Sequence, residues 1–103
     1  MDIPSYFQRA SECFYQGALE YGGHTVEDCA RFGVEIVPQS QCPALLDWLD
    51  HLIASPPEAV ADAWSSLRCE YDWEDPEFIR GILRLMREKA AERVASGGGG
   101  MPG

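Results

Sequence analysis

His51 follows Asp47 by one helical turn and Asp50 by a single residue. At that spacing a carboxylate can hold an imidazole in one tautomer, as general-base chemistry requires. The pair has nothing to activate, because the chain contains no Gly-x-Ser-x-Gly or comparable nucleophile setting. An aspartate and a histidine four apart then read as a weak pair on a solvated helix face. Cys29, Cys42, His24 and His51 supply ligand types that suit zinc, but no Cys-x-x-Cys, His-x-x-x-His or His-Glu-x-x-His spacing joins them. Scattered cysteines in a helical chain read as small buried apolar residues, and Cys13 sits within an apolar stripe. The reading is therefore non-enzymatic, with no metal and no other cofactor.

The densest chemistry lies further on. Glu70, Asp72, Glu74, Asp75 and Glu77 are interleaved with Tyr71 and Trp73 and closed by Phe78. The stretch resembles a calcium loop in composition only, since the glycine that an EF-hand needs for its sharp turn is absent. Read as a partner-binding surface, it comprises Glu70, Tyr71, Asp72, Trp73, Glu74, Asp75 and Glu77. Trp73 is its expected anchor: tryptophan buries a large area with few rotors, and neither Asp72 nor Glu74 beside it is comfortably buried. A plainer reading stays open, in which the carboxylates solvate a loop and pair within the molecule to Arg80, Arg84, Arg87 and Arg93.

Charge is segregated along the chain. Residues 1–79 carry 15 Asp/Glu against 3 Arg, and residues 80–103 carry 2 Glu against 5 Arg/Lys, within a total of −9. Such a field repels nucleic acid and anionic lipid and attracts basic surfaces. No nucleic-acid or membrane role is expected, and a protein with a basic surface is the expected partner. The Arg80, Arg84 and Arg87 row reads as a solvated face.

These residues must be positioned by helices. The chain of 103 residues, 46% of them apolar, is long enough for one core and too short for two. Tyr6, Phe7, Ala10, Cys13, Phe14, Gly17, Ala18 and Tyr21 share one face of a helix over about residues 4–21, with Tyr15 and Leu19 turned away from it. Thr25 and Asp28 suit a capping box, with Gly33 closing a short helix after Phe32. Val34–Val37 reads as an extended connector, because no second β-prone run can pair with it. Pro43 opens a third helix with Leu45, Leu46, Trp48, Leu49, Leu52 and Ile53 on its apolar face. Ser55 as cap, with Pro56 first and Glu58 third, opens a fourth that carries Trp64. Asp75 and Pro76 open the last by the same logic, with Phe78, Ile79, Ile82, Leu83, Leu85, Met86, Ala90 and Val94 inward. The expected fold is all-α, a bundle of four to five short helices over residues 1–95 with mixed crossing angles. A flexible glycine-rich tail is expected over 96–103.

The start Met1-Asp2-Ile3-Pro4 has neither a basic nor an apolar leader segment, and no run of 18 apolar residues occurs, so a cytoplasmic location is expected. Together these features suggest a stoichiometric inhibitor of the immunity, antitoxin or anti-defence kind. The alternative is an accessory or assembly subunit of a larger enzyme complex, docking through Tyr15 and Leu19 or through the last helix. In a reducing compartment Cys13, Cys29, Cys42 and Cys69 stay thiols. Thiol titration of freshly purified, denatured protein should find four reactive groups; two or none would move the protein to an oxidising compartment.

Overall fold

Helix starts follow directly from local chemistry. A computed structural model of the chain describes residues 3–12, 14, 25–67 and 75–98. Pro4 precedes α1, Ser5–Ser11. Thr25 opens α2, Val26–Glu35, with the expected reciprocal box: Asp28 N–H donates to Thr25 Oγ1 at 3.0 Å, and Thr25 N–H to Asp28 Oδ2 at 3.2 Å. A 3₁₀ turn, Gln39–Gln41, leads into α3, Cys42–Ile53, with Pro43 in its first turn. Then come α4, Pro57–Ser65, and α5, Pro76–Arg93, where the Asp75 carboxylate accepts from Glu77 N–H at 3.0 Å. The fold is all-α, with five α-helices and no strand among the described residues.

Helix ends depart from the sequence reading. The helix expected over 4–21 stops at Ser11. Ser11 Oγ donates back to Gln8 O at 2.7 Å, and Glu12 and Phe14 N–H make tighter i→i−3 bonds to Arg9 O and Ser11 O. This exit lets Phe14 bury its ring edge-on against Trp64, centroids 5.4 Å apart. Residues 13 and 15–24 lie outside the described residues, and with them Tyr15 and Leu19.

Gly33 does not close α2, and Val34 and Glu35 are its last turn rather than an extended connector. The glycine is there for close packing. A Cβ at Gly33 would lie 1.8 Å from Ala10 O, so α1 and α2 approach each other nearly backbone to backbone. Ser55 does not cap α4 either. It belongs to the end of α3, where its hydroxyl donates to His51 O at 2.7 Å, and α4 begins one residue later than expected, after Pro56.

α5 is the central element, packing against α2, α3 and α4, while α1 packs on α2. Ile79, Ile82, Leu83, Met86 and Ala90 of α5 are buried with Val34, Leu45, Leu49, Val60 and Trp64. Phe78 departs from the expected inward face and is 43% exposed. α5 passes into a π-helical turn, Val94–Gly98; residues 99–103, within the expected flexible tail, lie outside the described residues.

The two glycines with defined surroundings should respond oppositely to a methyl group. Gly33→Ala must push α1 off α2 and should cost about 3 kcal/mol. Nothing lies within 4 Å of a Cβ at Gly81, in the interior of α5, so Gly81→Ala should add about 0.5–1 kcal/mol of stability. Urea denaturation of both variants against wild type checks the sign of each.

Candidate functional site

Of the residues assigned to a partner surface, Asp75 and Glu77 are described; Glu70, Tyr71, Asp72, Trp73 and Glu74 lie outside the described residues. Asp75 caps α5, and exposed Glu77 reaches Arg80 Nε at 3.2 Å. Both sit at the helix N-terminus, where backbone N–H groups favour negative charge.

Of the row Arg80, Arg84 and Arg87, read from spacing as a solvated face, Arg84 and Arg87 are exposed but Arg80 is not. Arg80 is buried, and its guanidinium donates to Ile53 O and to Ser55 O, the latter at 3.0 Å, at the C-terminal end of α3. Arg93 donates to Val34 O at 2.7 Å and to Val37 O at the end of α2, and also to Gln39 Oε1 at 3.1 Å. The Gln39 side-chain amide donates back to Arg93 O at 2.7 Å. Arg87 pairs with Asp50 at 2.6 Å, which takes Asp50 away from His51, and Lys89 pairs with Glu35 at 3.3 Å. Arg84 is exposed, with no acidic partner among the described residues.

The outer surface is consequently more acidic than composition alone implies. Eleven of the twelve described carboxylates are exposed, whereas Arg80, Lys89 and Arg93 are wholly or partly withdrawn from solvent. Glu12, Glu58, Glu88 and Glu92 have no cationic partner among the described residues.

Three clefts lined by described residues break this surface. One, of about 540 Å³ at the end of α5, mixes Glu35 and Glu92 with Lys89 and Arg93 and is neutralised from within. A second, of about 480 Å³ between the starts of α2 and α5, is walled by Val26, Phe78, Ile82 and Leu85 and is mostly apolar. The third, of about 390 Å³, lies between α1 and α3 and is lined by Tyr6, Ala44, Asp47, Trp48 and His51. Ala44, Asp47, Trp48 and His51 follow i, i+3, i+4, i+7 spacing and form one stripe of α3. α1 reaches this stripe through Phe7, whose ring tilts against Trp48 with centroids 5.9 Å apart.

His51 Nδ1 lies 3.0 Å from the backbone carbonyl of Asp47 and 3.8 Å from its carboxylate. It therefore bonds its own helix rather than forming a dyad, and both side chains are highly exposed. Trp48 was expected in the core and is half-buried; its indole Nε1 is buried with no hydrogen-bond partner among the described residues. Cys29 and Cys42 are buried thiols, and no three His, Cys, Asp or Glu side chains converge to hold a metal ion among the described residues. Among them, too, no helix is long and apolar enough to cross a membrane. Family models, curated proteins and solved structures return no match to the chain.

The two roles of arginine should separate in stability measurements. Arg80→Met leaves the Ile53 and Ser55 carbonyls without their donor and should cost about 2–3 kcal/mol. Arg84→Met, on the exposed side of the same helix, should stay within about 0.5 kcal/mol of wild type. Thermal and denaturant unfolding of both variants tests the contrast.

Proposed function

We propose that this protein is a small acidic binder that covers a basic surface on a protein partner, acting as a stoichiometric inhibitor or neutraliser of the immunity, antitoxin or anti-defence kind. The observation that carries the reading is the disposition of charge. The cations of α5 other than Arg84 are directed at backbone carbonyls and a few ion pairs, while nearly all described carboxylates face solvent. Fixed negative charge of this kind can stand where phosphates or an acidic substrate would sit on a basic partner, and it speeds encounter over distances beyond contact. Glu70, Asp72, Glu74, Asp75 and Glu77 are the proposed rim, with Tyr71 and Trp73 as anchors. The setting proposed is the cytoplasm.

A second reading, an accessory or assembly subunit, is favoured by exposed apolar side chains. Phe32 and Ile36, at the end of α2, leave 52% and 49% of their area exposed, and the groove beside Phe78 is mostly apolar. A subunit docking through such surfaces would bind with weak salt dependence.

Affinity capture on the full chain, identification of the bound protein and measurement of association rates across a salt series would separate the two. For an inhibitor, the combined change Glu70→Gln, Asp72→Asn, Glu74→Gln and Asp75→Asn should slow association severalfold at low salt and flatten its salt dependence. Asparagine at position 75 retains a good N-cap. Trp73→Ala should act mainly on dissociation, at a cost of about 2 kcal/mol or more of affinity. Association that neither salt nor the neutralised variant alters would favour the accessory subunit.

A further inference from the structure

The cleft between α1 and α3 differs from the two others described in that its carboxylate has no arginine or lysine partner among the described residues. The cleft at the end of α5 supplies its own cations, and the two carboxylates of the mostly apolar groove beside Phe78, Glu27 and Glu77, are paired with Arg31 and Arg80. Here the lining is Tyr6, Ala44, Asp47, Trp48 and His51, with no lysine or arginine among them. The Asp47 carboxylate is 79% exposed, and among the described residues its one cationic neighbour is the loosely placed His51 ring, 3.8 Å away.

His51 adds an acceptor. Its Nδ1 faces the Asp47 carbonyl at 3.0 Å. A carbonyl can only accept, so in the tautomer whose Nδ1–H donates to it, Nε2 is left as a lone-pair acceptor. Trp48 buries its one donor, Nε1, so what the indole adds to the cleft lining is aromatic hydrocarbon. Tyr6 supplies a second ring from the opposite helix. Ala44, the smallest lining residue, keeps the cleft open at the end of the stripe.

Two aromatic rings, a carboxylate and a bare imidazole nitrogen share one preference: a flat cation that stacks and donates hydrogen bonds at its edge. Arginine fits that description better than lysine, since its planar guanidinium can lie on a ring while donating to a carboxylate. We infer that this cleft is a guanidinium site, which takes one arginine side chain from a basic partner. For its biological occupant the inference rests on the acidic-binder reading and deepens it. Its test needs no partner, so either can fail alone.

The experiment is an NMR titration of the full chain with Nα-acetyl-arginine amide, with the citrulline analogue as a neutral control of nearly the same shape. Expected are saturable shifts confined to Tyr6, Trp48 and His51 signals, with the citrulline analogue about tenfold weaker. Asp47→Asn should weaken arginine binding about fivefold without moving the thermal midpoint, because the carboxylate is exposed and supports no packing. Trp48→Leu should weaken it further and is judged only alongside the thermal midpoint, since Trp48 also contacts Phe7. Equal binding of the citrulline analogue would overturn the proposal. So would shifts spread evenly over the acidic surface, or an Asp47→Asn variant that binds as well as wild type.

Discussion

The carbonyls at and just beyond the ends of α2 and α3 are the constraint around which this molecule is organised. The last four C=O groups of any helix lack intrahelical partners. Here the ends of both helices are served from α5, by Arg93 at Val34 and Val37 and by Arg80 at Ile53 and Ser55. Thirteen residues separate the two arginines along α5, a turn of about 220° around its axis, so they emerge on different sides. α5 can therefore lie between α2 and α3 and cap both. Each guanidinium has enough donors for two carbonyls, and its charge sits where the helix dipole is negative. In each case Nη1 serves both carbonyls, and a second guanidinium nitrogen reaches a side chain, Glu77 from Arg80 and Gln39 from Arg93.

This use of arginine shapes the exterior. Cations directed at main-chain oxygens neutralise few carboxylates, and the remaining pairs, Arg31–Glu27, Arg87–Asp50 and Lys89–Glu35, lie at or near the surface. Such pairs contribute little stability. An excess of exposed negative charge works against compactness through self-repulsion. A fold that tolerates this excess at no evident structural gain is what an electrostatically guided binder would need, which is why charge disposition, rather than any single residue, supports the functional reading.

What could be read from sequence was local, and what could not was tertiary. The Thr25/Asp28 box and the Asp75-Pro76 start depend on residues within one turn of each other, and both appear where expected. The ends of helices were misjudged because their causes are distant. Ala10 explains why Gly33 is glycine without ending α2, and the contact of Phe14 with Trp64 accompanies the early exit from α1. Arg80 reads as solvated by spacing alone, since nothing nearby in sequence announces carbonyls 25 and 27 residues away. The cleft was half legible: Asp47 and His51 are visible as an i,i+4 pair, whereas Tyr6 joins them only through the packing of α1 on α3. The acidic rim rests on sequence for residues 70–74, with Asp75 and Glu77 placed at the head of α5.

Arg93 stands in the last turn of α5, where helices ordinarily fray. Fraying there would withdraw the guanidinium from the Val34 and Val37 carbonyls and release the Gln39 amide at the same moment. Opening of the end of α5 is thus coupled to the end of α2, although 59 residues separate Arg93 from Val34 in the chain. In amide-exchange terms they belong to one foldon: protection at the C-terminal end of α5 is set by the larger unit it locks rather than by its nearness to a helix end.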